Sequence, residues 1–198
     1  AKTPLFRDVP VKRSIVRTGL VSVLAAGLLG GCMNLDDLND DPNVGPCPVA
    51  GVLYDANRVA EVKGVERHEN VGFTGQIERV RGFCRYVNDN PITMEIEIDF
   101  AFGKGPKADG DSHTYPYFVS VTRRDRNVLA KDVSTIAVKF PKGADVVRQT
   151  EKIDGIVIPR ATPTVSGTNF EVIVGFDLTA EQLAYNRSGK RFTINTGE

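Results

Sequence analysis

Cysteine and histidine are the side chains here with the widest chemistry, and the chain has three cysteines and two histidines. Cys32 ends an apolar run, Cys47 and Cys84 stand apart from each other, and His68 and His113 lie in polar surroundings. A thiol can carry a covalent group, bind a metal or form a disulfide, and an imidazole can act as base or ligand. The sequence around each residue therefore decides which chemistry to expect.

The apolar run before Cys32 has the form of an export signal. A basic region ends at Arg17, and residues 18–31 form 14 residues without a charge, "TGLVSVLAAGLLGG". A helix that spans a bilayer needs roughly 20 apolar residues, so this run is short for a permanent anchor. We expect residues 1–31 to be a signal peptide, removed from the mature chain.

The end of that run, Leu29-Gly30-Gly31-Cys32, resembles the lipobox of bacterial lipoproteins. A basic start, a short apolar core, small residues and an abrupt polar switch coincide there. The resemblance implies a diacylglycerol on the Cys32 sulfur, cleavage before Cys32, and a fatty acid such as palmitate on the new amino group. Several acyl chains hold a protein on a membrane almost permanently. An ordinary signal peptide with a chance cysteine is the alternative.

Met33 bears on which membrane receives the lipoprotein. By resemblance to enterobacterial lipoproteins, a residue other than Asp after the cysteine implies sorting to the outer membrane. We therefore expect a protein anchored by lipid in the outer membrane and facing the periplasm. The inner membrane and the cell surface stay open as alternatives.

Residues 32–46 read as a flexible tether. The stretch after Cys32, "MNLDDLNDDPNVGP", has four Asp and three Asn with few large apolar side chains. Such a segment cannot bury enough apolar surface to offset the entropy of ordering. It also lacks the alternating ligands of a calcium loop, so solvation beside a lipid surface is the expected role.

Cys47 and Cys84 remain after Cys32 is assigned to lipid. In an oxidising compartment two remaining cysteines most simply form one disulfide. Closing a loop of about 38 residues would stabilise the fold by roughly 4 kcal/mol on the chain-entropy model. A metal pair or a reactive thiol is the alternative, and neither cysteine belongs to a Cys-x-x-Cys motif.

The elements that carry these residues have a period of two. In "ITMEIEIDFAF", residues 92–102, apolar side chains alternate with polar ones, which is typical of a half-buried antiparallel strand. The other candidate strands are "VAGVLYDA", "VGFTGQIERV", "GFCRYV", "YPYFVSVT", "STIAVKF", "DGIVIP" and "FEVIVGF". We therefore predict one all-β domain over residues 47–198, an antiparallel β-sandwich of immunoglobulin-like type, with a barrel as the rival.

One helical signal stands near the end of the chain. Thr179 and Gln182 have the spacing of a capping box, and Gly189 supplies a stop. The pattern predicts a short helix over residues 180–187, with Leu183 and Tyr185 as candidates to fill one end of the sandwich. The stretch "RFTIN" after it could add a final strand.

Three longer stretches carry a second resemblance, "CPVAGVLYDA", "GKGP" before "YPYFVSVTRRDRNVLAK", and "VGFDLTAEQLAYNR". Together they resemble a group of uncharacterised alphaproteobacterial lipoproteins, over nearly all of the mature chain. The resemblance supports a lipoprotein and implies no mechanism.

Catalytic chemistry finds little support in the remaining motifs. A hydrolytic triad would need His68, in the polar stretch "GVERHEN", or His113, beside Ser112 in a Gly/Pro/Asp-rich stretch that reads as a loop. "GKGP" lacks the ending of a phosphate-binding P-loop. We therefore predict no catalytic residue, no metal ligand and no cofactor.

The remaining candidates are for binding. Tyr115 and Tyr117 flank the 103–116 stretch, and Arg123 and Arg124 begin a charged turn at 123–127. The formal net charge is zero, with the basic excess confined to residues 1–31, so no basic face points to nucleic acid.

The function we expect is a non-enzymatic, membrane-anchored periplasmic lipoprotein, a structural or protein-interaction module of the bacterial cell envelope. Its partners would be the membrane, through the lipid, and an envelope protein. The alternative is a lipid-anchored module that binds a small ligand or a carbohydrate. The 8% aromatic content and the absence of Trp count mildly against that alternative.

Overall fold

Eight strands and one short helix form the folded part of the chain, for which the computed structural model describes residues 45–190. The predicted signal peptide, Cys32 and most of the predicted tether lie outside the described residues. The strands are β1 Val49–Val52, β2 Arg58–Val62, β3 Val71–Arg85, β4 Ile92–Lys104, β5 Ser112–Arg123, β6 Val128–Lys139, β7 Val146–Ile158 and β8 Phe170–Phe176, and the helix is α1 Ala180–Arg187.

The strands form two four-stranded sheets, in the orders β1-β8-β5-β6 and β2-β3-β4-β7. All neighbours pair antiparallel except β1, which runs parallel to β8. The predicted β-sandwich with one short C-terminal helix is confirmed. It shares the two-sheet architecture of immunoglobulin-like domains and has its own strand order.

The strand boundaries differ from the prediction at several places. The strands β6 and β7 begin at Val128 and Val146, earlier than the candidates "STIAVKF" and "DGIVIP", and β1 ends at Val52, before the end of "VAGVLYDA". The candidate strands "VGFTGQIERV" and "GFCRYV" belong to one long strand, β3, which continues through a bulge between Ile77 and Arg79. The strand β2 was not predicted, because all five of its residues are half-buried and no apolar alternation marks it. His113 lies in strand β5, which begins at Ser112, and not in the loop that the Gly/Pro/Asp composition predicted.

The core between the sheets is rich in aromatic rings. Phe100 of β4 lies 5.5 Å from Phe102 and 5.5 Å from Tyr117, centroid to centroid. Phe102 and Tyr115 are 4.5 Å apart, and Phe176 of β8 packs against Phe100 at 5.8 Å. Burying each large apolar side chain contributes about 2 kcal/mol, so this cluster joins the two sheets.

The predicted helix is confirmed with its capping box, in which Thr179 and Gln182 exchange hydrogen bonds. It has no buried residue, and Leu183 and Tyr185 are half-buried, so α1 lies against the sandwich and does not fill its end. The amide of Asn186 fastens it by donating to the carbonyl oxygens of Asp55 and Arg58, each at 2.8 Å. The stretch "RFTIN" lies outside the described residues.

Candidate functional site

The sandwich has two ends, which differ in how their loops are held. The entry end is where residues 45–48 join β1, and it contains the loops 86–91, 124–127 and 159–169. The distal end contains the loops 63–70, 105–111 and 140–145 and the segment 177–190 with α1. Two of the predicted binding residues, Arg123 and Arg124, lie at the entry end, which is therefore the candidate functional site.

A disulfide closes the entry end. Cys47 and Cys84 are bonded, with their Cα atoms 5.7 Å apart, as the sequence predicted. Cys47 precedes β1 in the first sheet and Cys84 lies near the end of β3 in the second. The bond therefore ties the segment that enters the domain to the opposite sheet.

Tyr86 reinforces this closure from inside. Its side chain is buried, and its hydroxyl donates to the carbonyl oxygen of Pro46 at 3.1 Å. The same hydroxyl accepts from the backbone N–H of Gly167 at 3.2 Å. A Cβ atom on Gly167 would lie 2.4 Å from the Pro46 oxygen, so only glycine allows the two segments to approach this closely.

Arg160 joins two further loops at the same end. Its guanidinium lies over the Tyr86 ring, 4.9 Å from the centroid, a favourable cation–π arrangement. The side chain donates hydrogen bonds to backbone carbonyl oxygens only, those of Asn88, Asn90, Pro163 and Val165. One side chain thus holds the 86–91 loop against the 159–169 loop.

The hairpin turn between β5 and β6 completes the entry end. The N–H of Arg126 donates to the carbonyl oxygen of Arg123 at 2.9 Å, and Arg126 adopts a left-handed φ of 69°. Both carboxylate oxygens of Asp125 accept from Asn127, one from its backbone N–H and one from its amide. The N–H of Arg124 donates to the carbonyl oxygen of Asn169 at 3.1 Å, which ties the turn to the 159–169 loop.

A shallow groove of about 420 Å³ lies between that turn and the 159–169 loop. It is lined by Arg123, Arg124, Asp125, Pro159, Ala161, Val165, Asn169 and Phe170. The mixture of arginine and apolar side chains suits a ligand with an anionic group beside an apolar part.

The four predicted binding residues are divided between core and surface. Tyr115 and Tyr117 are 2% and 1% exposed and belong to the aromatic core. The Tyr115 hydroxyl donates to the carbonyl oxygen of Thr74 at 3.1 Å, and burial raises the pKa of this phenol well above its ordinary value. Arg123 and Arg124 are exposed and line the groove, so only these two present side chains to a partner.

The two histidines both lie towards the distal end and have different surroundings. His113 packs its ring on Phe73 and on Tyr115, each centroid 4.5 Å away. His68 is exposed and opens a short turn before β3. Within residues 45–190 no three side chains of His, Cys, Asp or Glu gather in a way that could hold a metal ion.

Ion pairs hold the distal end instead. Lys63 Nζ lies 2.9 Å from Asp109 and Lys104 Nζ lies 3.0 Å from Asp111, so both pairs hold the 105–111 loop. Lys190 pairs with Glu66 across the 63–70 loop. The hydrogen bond from Lys63 lowers the pKa of Asp109 and, reciprocally, raises the pKa of Lys63.

The outer face of the second sheet carries a charge network centred on Asp99. Its carboxylate accepts from Thr150 Oγ1 at 2.8 Å, from Arg79 Nε at 2.9 Å and from Arg81 Nη1 at 3.0 Å. The Thr150 hydrogen bond, with those from the arginines, lowers the pKa of Asp99. A groove of about 460 Å³ beside it is lined by Glu78 and Arg148, which also pair at 3.2 Å.

Sequence reasoning missed Tyr86, Arg160 and Asp99. Arg160 follows "IVIP" in a stretch without other charges, and its partners are carbonyl oxygens that the sequence does not distinguish. For Asp99 a signal existed, because it shares the polar side of β4 with Glu95 and Glu97, opposite arginines on β3.

Within the described part of the chain, no helix is long and apolar enough to cross a membrane. Protein-family models, curated proteins and solved structures were each compared with the chain, and none of them matches it.

Proposed function

We propose that the protein is a lipid-anchored lipoprotein of the bacterial cell envelope, facing the periplasm from the outer membrane. In this proposal it is non-enzymatic and acts as a structural or protein-interaction module. The observation that carries it is the sequence Leu29-Gly30-Gly31-Cys32, preceded by a basic and then an apolar region and followed by an acidic one.

The entry end supports an anchor that precedes the domain. The chain passes from Cys32 to the first described residue, Gly45, within 13 residues, and a fully extended chain of that length spans at most roughly 45 Å. The Cys47–Cys84 bond fixes the point at which that chain joins the sandwich. A disulfide is also typical of the oxidising compartments outside the cytosol.

The edge strand β6 supports a role in protein interaction. It ends the first sheet, so within residues 45–190 one side of this 12-residue strand has no neighbour. Val133 and Leu129 on its outward side are 49% and 42% exposed. An exposed strand edge can pair with an extended segment of another protein, and apolar side chains beside it add contact area.

Substitution of the lipid-bearing residue tests the anchor. In the Cys32→Ala variant, we expect the protein to move from the membrane fraction to the soluble fraction or to accumulate as uncleaved precursor. The Cys47→Ala/Cys84→Ala variant is the control, because it changes two thiols without removing the lipid attachment point. A Cys32→Ala protein that is processed and fractionates like the unaltered one would contradict the anchor.

Crosslinking in intact cells, followed by mass spectrometry, tests the interaction role. We expect an envelope protein to be captured through β6 and lost when Val133→Lys places a charge beside the edge. Capture of no protein would favour the alternative, a module for a small ligand or a carbohydrate. The two grooves described above each contain a single aromatic residue, Phe170 or Phe100, which supports carbohydrate binding less than stacked rings would.

A further inference from the structure

The arginines of the entry end lack the carboxylate partners that Lys63, Lys104 and Lys190 have at the distal end. Residues 85–92, 123–128 and 158–170 contain five arginines and two aspartates. Within residues 45–190 no salt bridge reaches any of the five. The entry end is therefore a positive surface whose charge is not neutralised by the rest of the described fold.

Local geometry keeps these charges unpaired. Asp125 lies between Arg124 and Arg126 in sequence, yet both its carboxylate oxygens accept from Asn127. The Arg160 guanidinium donates its hydrogen bonds to carbonyl oxygens, which carry no full charge. The remaining four, Arg85, Arg123, Arg124 and Arg126, are exposed.

Apolar side chains stand next to the exposed arginines. Val128, directly after the turn, is 62% exposed, and Leu129 is 42% exposed. On the other flank of the same end, Val49 and Phe83 are 56% and 54% exposed. Surfaces that lie on membranes combine cations for the lipid phosphates with apolar side chains that enter the headgroup region.

We propose that the entry end docks on the anionic phospholipid surface in which the lipid anchor is inserted. The inference rests on the proposed function for the anchor, and it adds an orientation: the 123–127 turn and the groove beside it face the membrane, and the distal end faces away. The chain joins the domain at this same end, so the anchor brings the arginines to the lipid phosphates. The arginines bind those phosphates, and Val128 and Leu129 contact the headgroup layer.

Fluorescence quenching from the membrane tests this orientation. The lipidated protein is placed on vesicles of phosphatidylcholine alone or mixed with phosphatidylglycerol, each containing a lipid-borne quencher. A fluorophore is attached in the Val128→Cys variant, and the matched control is Val65→Cys, because Val65 is 68% exposed in a distal loop. We expect quenching at position 128 to rise several-fold when phosphatidylglycerol is included, and quenching at position 65 to stay unchanged.

Charge variants and salt separate docking from simple proximity to the anchor. The changes Arg123→Gln, Arg124→Gln and Arg126→Gln together should return the quenching at position 128 to its value on neutral vesicles. High salt should do the same, because screening weakens exposed charges. The distal changes Lys107→Gln, Lys139→Gln and Lys142→Gln remove the same charge and should leave the quenching unaltered.

Equal quenching at position 128 on both vesicle types would overturn the proposal. It would indicate instead that the arginines bind an acidic protein partner. Quenching that survives the triple arginine variant would overturn it as well. Failure of the proposed anchor is detected separately, because mass spectrometry of the same preparation would then show no acyl groups on Cys32. The quenching comparison can then be made with vesicles added to the unacylated protein.

Discussion

The two ends of the sandwich hold their loops by different chemistry. At the entry end a disulfide, a buried tyrosine hydroxyl and one arginine bonded to backbone carbonyls join the loops. At the distal end exposed ion pairs such as Lys63–Asp109 and Lys104–Asp111 do so. We therefore expect salt and acid to loosen the loops of the distal end and not those of the entry end, since exposed ion pairs are screened and titrate.

The two ends also differ in how much stability each contact contributes. Exposed ion pairs are worth about 0–1 kcal/mol, because water and side-chain entropy offset most of the attraction. A disulfide lowers the entropy of the unfolded chain whatever the solvent. The entry end is therefore expected to be the more strongly fixed of the two.

Removal of the disulfide should have the largest effect on this comparison. In Cys47→Ala/Cys84→Ala, we expect the free energy of unfolding to fall by about 4 kcal/mol, because the closed loop of the unfolded chain is released. Denaturation in urea measures the change. The distal control, Lys63→Ala/Lys104→Ala, should lower the free energy of unfolding far less, because its ion pairs are exposed to solvent. Equal losses in the two variants would refute the difference between the ends.

Replacement of Arg160 should cause the second largest loss of stability. In Arg160→Met, the carbonyls of Asn88 and Asn90 lose a charged donor, and we expect a loss of about 2 kcal/mol. Arg187→Met is the matched control, since Arg187 is exposed, its ion pair with Asp55 is accessible to water, and its loss should cost below about 1 kcal/mol. Thermal unfolding of both variants measures the two losses of stability. A smaller loss in Arg160→Met than in Arg187→Met would contradict this expectation.

These two contacts show what the sequence could and could not reveal. The disulfide was predictable, because the expected attachment of lipid to Cys32 leaves two cysteines, which would pair if the chain is exported as proposed. The role of Arg160 was not, because the carbonyls of Asn88 and Asn90 lie about 70 residues away along the chain, and any residue type supplies a carbonyl. Its position could be found only after the fold had brought the 86–91 and 159–169 loops together.

The strands and the helix show the same division. Strict alternation predicted β4 and a capping box predicted α1, since both signals are local. The strand β2 has no such alternation, and its residues are held by pairing with β3. Tyr115 and Tyr117 are two residues apart, so both point to the buried face of β5, and their aromatic character alone made them binding candidates.

Loss of the Tyr86 hydroxyl should have a moderate effect. In Tyr86→Phe, we expect the free energy of unfolding to fall by about 1 kcal/mol, because the N–H of Gly167 loses its acceptor while the ring stays packed. Amide exchange at Gly167 should quicken at the same time. Tyr115→Phe is the control, since it loses a hydroxyl in the core without touching the entry end. Unchanged exchange at Gly167 in Tyr86→Phe would argue against the contact.

Acid should have the smallest effect, and it should act on the distal end. The Lys63 hydrogen bond lowers the pKa of Asp109 below its ordinary value of 3.8. The pair therefore stabilises the 105–111 loop above that value, and the contribution is lost as the pH falls through the lowered pKa. As the pH falls through the lowered pKa, we expect amide hydrogen exchange in the 105–111 loop to quicken relative to exchange in the Asp109→Asn variant. In that variant position 109 has no carboxylate to titrate, so the loop should lack this response to pH. A response confined to the 159–169 loop would reverse the assignment of the ends.

The proposed lipid anchor is tested most directly by the mass of the N-terminal peptide from the protein isolated from membranes. We expect this peptide to begin at Cys32 and to carry a diacylglycerol and a fatty acid. A mature chain that starts at another residue, or an unmodified Cys32, would contradict the proposed anchor.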